Sequence, residues 1–191
     1  MLLRMADASL IRARSWYRTP TVWVALVLAV LSALPVLMAH YPQMIDFPAH
    51  MARYAVMLDH GQNPYLARYY SFEWKWTGNL GVDILIRPFA ALFGLELGSK
   101  IIVALVPPLT GIGIVWVEWA LRRRIGFGTL LGLSFIWSPM LLLGLVNYSL
   151  GQALALIAFA IWVQMGPGGV WQRAMDWRWV MLIVAGLVVW V

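Results

Sequence analysis

Asp46, His50 and Arg53 follow one another at intervals of four and three residues, the spacing that brings side chains to one face of a helix. A carboxylate or an imidazole can take a proton from a reacting hydroxyl, and a guanidinium can hold an anion. Pro48 suits the first turn of such a helix, and Asp46 just before it is placed to accept hydrogen bonds from the free backbone N–H groups. At about 100° per residue His60 joins the polar face, while Phe47, Met51, Tyr54, Ala55 and Leu58 fall opposite. The pattern predicts a helix on a membrane surface, its aromatic face in lipid and its polar groups turned toward one site.

The elements that position this cluster are membrane helices. With 62% hydrophobic and only 12% charged residues and a mean hydropathy of +0.78, the composition is that of an all-α integral membrane protein. The net charge of +6 does not point to nucleic acid, because the arginines flank apolar runs and form no single solvated face. Arg4, Arg12, Arg14 and Arg18 precede the first apolar run, 22–38, which predicts a cytoplasmic basic N-terminus over 1–20 and one transmembrane domain over 21–191. That run is longer than a signal-peptide core, and Val36-Leu37-Met38-Ala39 offers no small-x-small cleavage site, so a retained anchor is expected. The absence of cysteine rules out disulfides and thiolate metal sites. Twelve tryptophans suit membrane interfaces.

Further apolar stretches cover 80–97, 101–121, 130–146, 150–163 and 179–191. The first of these carries Asp83, Arg87, Pro88 and Glu96, and each charge at mid-bilayer costs about 2.5–3.5 kcal/mol. Were it a crossing, Arg122-Arg123-Arg124 would also fall outside. It is therefore read as an interfacial helix within a long first external loop, about 40–99. The other four runs, with 22–38, make about five transmembrane helices that keep Arg122 to Arg124, Arg173 and Arg178 inside. Met165-Gly166-Pro167-Gly168-Gly169 reads as a plain turn. Residues 177–191 cover roughly 22 Å, short of the ~30 Å hydrocarbon core, so the last helix reads as truncated and the chain as incomplete at its C-terminus.

This order of elements, with an acidic residue opening the first external loop, resembles the N-terminal part of the GT-C superfamily of membrane glycosyltransferases, which includes protein mannosyltransferases and aminoarabinose transferases. The resemblance runs from about Thr21 to the end of the chain. Two departures stand out: Phe47 occupies the place of a second carboxylate after Asp46, and Asn147-Tyr148 stands where another acidic residue is often found. Membership would imply sugar transfer from a polyprenyl-phosphate donor to a lipid, glycan or protein acceptor on the external face. Asp46 would then be the base for the acceptor hydroxyl, and His50 would orient that carboxylate or bind acceptor. Arg53, Arg68, Lys75 and Arg87 would be candidates for stabilising the departing phosphate, in that order, while Trp74 and Trp76 would stack on sugar rings. A divalent cation bridging Asp46 and phosphate oxygens is the cofactor such chemistry admits. The spacing of His40, Asp46, His50 and His60 matches no zinc site. The absence of cysteine and the short loops point to a bacterial inner membrane, and membership would make lipid and a polyprenyl-linked sugar the partners.

The same residues also have structural readings. Asp46 can serve as a helix cap with Arg53 as a surface partner. Asp83 and Arg87, at i and i+4, form a helix salt bridge, and the aromatics from Tyr69 to Trp76 form an interfacial belt. The rival function is a non-catalytic scaffold or subunit of an envelope-assembly complex, docking a membrane protein partner or a further C-terminal domain. A transporter ranks third, because Glu118, the best-placed ionisable residue in a crossing, sits near an inner end.

Overall fold

A computed structural model of the chain describes residues 16–75, 78–165 and 175–190. Trp76, the arginines before Trp16, the turn after Met165 and Arg173 lie outside them. The described residues are helical, with no strand among them. After a turn at Trp16–Arg18, the helices are α1 (Pro20–Leu31), α2 (Leu34–Met38), α3 (Phe47–Asp59), α4 (Pro64–Ala67) and α5 (Gly81–Phe93). They continue as α6 (Leu95–Arg122), α7 (Phe127–Ser134), α8 (Pro139–Leu143), α9 (Val146–Gln164) and α10 (Met175–Trp190). Three stretches, Pro20–Met38, Leu95–Arg122 and Val146–Gln164, are long and apolar enough to cross a membrane. Together they mark an α-helical membrane protein.

Small residues set the helix crossings. Ala25, Ala29, Ala153 and Ala160 are fully buried. A Cβ on Gly111 would lie 2.6 Å from Ala29 Cβ, and one on Gly113 would lie 2.8 Å from Leu156 Cβ. Backbones approach this closely only where side chains are absent or short.

The packing fixes direction. Val22 and Ala25 of α1 meet Val115 and Trp119 near the end of α6, whereas Val36 of α2 joins the cluster holding Ile102 and Val103 near its start. Thus α1 and α2 run antiparallel to α6. Val146 and Leu150 of α9 share the Ile102 cluster, so α9 runs parallel to α6 and something between must traverse back. That path is α7 and α8: Leu133 packs by Trp119, Ile136 lies by Gly111 and Leu141 sits with Ile102.

The expected single helix over 130–146 is therefore two helices joined through residues 135–138. Pro139 cannot continue a helix from before it. Instead it opens α8, with Ser138 Oγ accepting from Leu141 N–H at 3.4 Å. Gly144, at φ 90°, ends α8, so Val146 belongs to α9, which starts four residues earlier than expected and includes Asn147.

Helix α5 has 13 residues, roughly 20 Å, and is not among the membrane-length helices. It doubles back along α6, where Gly98 allows the Phe89 backbone to within 2.9 Å of its Cβ position. Helix α10, with 16 residues, packs on α9.

One expectation about α3 is corrected. Its aromatic face does not turn to lipid: Phe47, Tyr54 and Met57 are buried in the main core with Val82, Ile86, Ile102 and Leu141, and Met51 and Leu58 pack against that core. The apolar stripe is covered by α5, α6 and α8, which leaves the opposite stripe to face outward.

Candidate functional site

The outward stripe of α3 begins at Asp46. Its backbone N–H donates to Leu143 C=O at 2.9 Å, and Gly144 presses so close that a Cβ there would lie 2.9 Å from Asp46 N. The start of α3 is thus held by the α8 to α9 turn. The Asp46 side chain makes no capping hydrogen bond, which corrects the cap expected of it. The half-buried carboxylate is left with its acceptor capacity unused by the helix.

His50 lies one turn on, its N–H donating to Asp46 C=O at 3.1 Å. Its ring stacks on Tyr54 with centroids 6.0 Å apart. Arg53 follows and reaches across to α5, where Nη2 donates to Asp83 Oδ2 at 2.5 Å. The Arg53 side chain is 52% exposed, and that of Asp83 is 2% exposed. The Asp83 to Arg87 bridge expected within α5 is therefore replaced by a bridge between helices. The reason is burial: Asp83 shares the inner face of α5 with Val82 and Ile86, and a buried carboxylate needs a cation that can reach it. Arg87 instead lies over the Trp74 ring, 4.9 Å from its centroid, an arrangement favourable for a guanidinium.

A second tie sits beside the first. Asn147 Oδ1 accepts from Val82 N–H at 2.7 Å, satisfying one of the free donors in the first turn of α5. The helix carrying Asp83 is in this way anchored to α9. Tyr54, between these elements, has a buried hydroxyl without a hydrogen-bond partner. Burial first, and then the charge of Asp83, push its phenol pKa above the ordinary range, with Arg53 opposing. Burial and Glu96 likewise raise that of Tyr41.

Asp46, His50 and Arg53 thus follow one another at the start and along the less buried side of α3, and Arg87 lies over Trp74. Arg68, over its neighbour Tyr69, and Lys75, 3.8 Å from Glu73 with both side chains exposed, make no bond to this face. Among the described residues no group of three or more His, Asp or Glu side chains is arranged to hold a metal ion.

Two residues of the site, Asp83 and Asn147, were not read from sequence as its parts. The signal for Asp83 was present: Val82, Asp83, Ile86 and Ala90 fall on one face at helical spacing, and a carboxylate in an apolar stripe calls for a distant cation. For Asn147 the signal was Gly144 ending one helix three residues before.

Chemically, this arrangement offers a carboxylate free to accept a proton. Two turns further along α3 is a guanidinium tied to a buried carboxylate, with donors to spare. No protein-family model, curated protein or solved structure matches the chain.

Proposed function

We propose that this protein is a membrane glycosyltransferase, or the N-terminal part of one, that takes sugar from a polyprenyl-phosphate donor. The observation that carries the reading is the division of labour between two carboxylates. Asp46 is left unspent by its own helix, while Asp83 is spent on fixing Arg53. In this reading an acceptor hydroxyl attacks the anomeric carbon and gives its proton to Asp46. The bond from that carbon to the phosphate oxygen breaks, and its electron pair leaves with the phosphate. The remaining N–H donors of Arg53 stabilise that growing charge, and His50 orients the Asp46 carboxylate. Arg87 and Trp74 supply a cation and a ring for the sugar or its phosphate, and Arg68 and Lys75 raise the positive potential at the approach.

The proposed topology has five crossings, formed by α1 with α2, then α6, α7 with α8, α9 and α10. The N-terminus is cytoplasmic and the Asp46 end faces outward, in a bacterial inner membrane. The placement of Arg122 to Arg124 at the opposite end of α6 supports this orientation.

A second reading, a scaffold that docks a membrane partner, is favoured by the exposure of Tyr65, Tyr69 and Tyr70 around α4. One experiment separates the two: mass spectrometry of polyprenyl-phosphate sugars and envelope glycans in cells carrying the wild type or Asp46→Asn at matched protein level. Accumulated donor and a missing glycan in the variant are the expected result. Identical profiles, where loss of the protein itself changes the envelope, would leave the scaffold.

A further inference from the structure

At the opposite end of the bundle from Asp46, a cleft of ≈ 390 Å³ opens between α1 and α6, within the roughly 300–1,000 Å³ range of small-ligand sites. Its walls are apolar, formed by Val22 and Leu26 on one side and Ile112 and Val115 on the other, and Trp116, Trp119 and Arg123 line it further along α6. From Ile112 to Arg123 the helix rises about 16 Å, close to half of the ~30 Å hydrocarbon thickness. That is the depth of one acyl chain within its own leaflet.

The charges at the mouth are not equivalent. Arg122 is engaged by Glu118 at 3.8 Å, one turn back on the same helix. Arg123 lines the cleft and has no ion-pair partner among the described residues. Arg123 also ends α6 in the left-handed region, at φ 54°, where helices ordinarily place glycine because it lacks a Cβ. A long cation thus stands in a conformation that disfavours it, at the one rim of an apolar cleft.

We propose that this cleft binds an anionic diacyl phospholipid, one acyl chain along Ile112 and Val115 and the phosphate on Arg123. Charge complementarity selects this occupant: the cleft opens beside the Arg122-Arg123-Arg124 run, and its walls are too apolar to satisfy a nucleotide base or a peptide backbone. The indoles lie where tryptophan meets the headgroup region, and the Gln164 carboxamide at the rim can donate to an ester or phosphate oxygen. The proposal is independent of the chemistry assigned to Asp46.

The test is native mass spectrometry of the full chain released from nanodiscs holding equal phosphatidylglycerol and phosphatidylcholine with the same acyl chains. The wild type is expected to retain phosphatidylglycerol about tenfold over phosphatidylcholine, because both offer a phosphate to Arg123 but only phosphatidylcholine brings a choline cation against the arginines at the mouth. Arg123→Gln should abolish that preference while Arg124→Gln keeps it, and Leu26→Trp, which fills the cleft, should lower retention of both lipids. Circular dichroism checks that each variant keeps its helicity. If Arg123→Gln does not, Arg123→Gly, which suits the left-handed backbone, must fold and lose the preference. A wild type without preference would overturn the proposal, and equal losses in the Arg123 and Arg124 variants would replace it with general attraction to a basic face.

Discussion

The two ends of the bundle are built on different principles. Around Asp46, residues far apart in sequence meet through directional bonds: Arg53 with Asp83, Asn147 with Val82, and Leu143 with Asp46. Around Arg123, by contrast, an apolar cleft opens beside a run of arginines and a set of indole rings. Directional bonds hold groups within a fraction of an ångström, which chemistry demands. Charge and aromatic surface give depth and orientation in a membrane without fixing any one atom. The contrast teaches that one end of this chain is organised for position and the other for placement.

The largest loss is expected at Asp46. Asp46→Asn should lower glycan transfer by about 10²–10⁴-fold, read by donor accumulation, with unfolding in detergent unchanged. Next in size is Gly144→Ala, which adds a Cβ 2.9 Å from Asp46 N at a residue with φ 90°. About 3 kcal/mol of stability should be lost, measured by chemical unfolding, and transfer should fall because Asp46 is displaced. Arg53→Met leaves Asp83 buried without its cation and should cost about 2 kcal/mol, reduced from the value for a fully enclosed pair because Arg53 is half exposed. Adding Asp83→Leu should recover much of that loss while leaving transfer low, which separates the structural from the chemical use of the pair.

Smaller losses are expected at Asn147, Arg124 and Tyr54. Asn147→Ala should cost about 1 kcal/mol through the lost contact at the start of α5, whereas Arg124→Ala at the other end should change stability by less than about 0.5 kcal/mol. Smallest is Tyr54→Phe, which removes a buried hydroxyl without a partner and should be nearly neutral at pH 7. The folded-state pKa of Tyr54 lies above its unfolded value of 10.0. Its contribution is therefore fully present below about pH 10 and is lost as pH rises beyond it. The variant should accordingly lose less stability than the wild type between about pH 10 and 12, followed by circular dichroism.

Much of the fold was legible because apolar length and arginine placement are local signals. The membrane-length helices fall within or around the runs read from composition, whereas 80–97 is divided at Gly94, where α5 ends and α6 begins. Residues 130–146 were misread because apolar content hides a break that depends on Pro139 and Gly144, whose effects are on backbone geometry and not on hydropathy. At the site, the stripe of Asp46, His50 and Arg53 was legible from periodicity alone. What the other stripe packs against was not, since burial by α5 and α8 depends on chain segments distant in sequence. The partner of Arg53 was hidden for the same reason: Arg87 is the near neighbour of Asp83 in sequence, but burial on the inner face of α5 gives Arg53 the shorter path.

The hydrogen bond from Asp46 to Leu143 joins segments about 100 residues apart, and this sets an order of events during synthesis. At about 5–20 residues per second, the segment bearing Asp46, His50 and Arg53 waits some 5–20 s before α8 and α9 arrive to hold it. Until then α3 and α5 lack the turn at Gly144 and the amide of Asn147, and the core they share lacks Leu141, Val146 and Leu150. The Asp46 end is thus held only once α8 and α9 have formed, and any factor that shields nascent apolar helix faces would act in that interval.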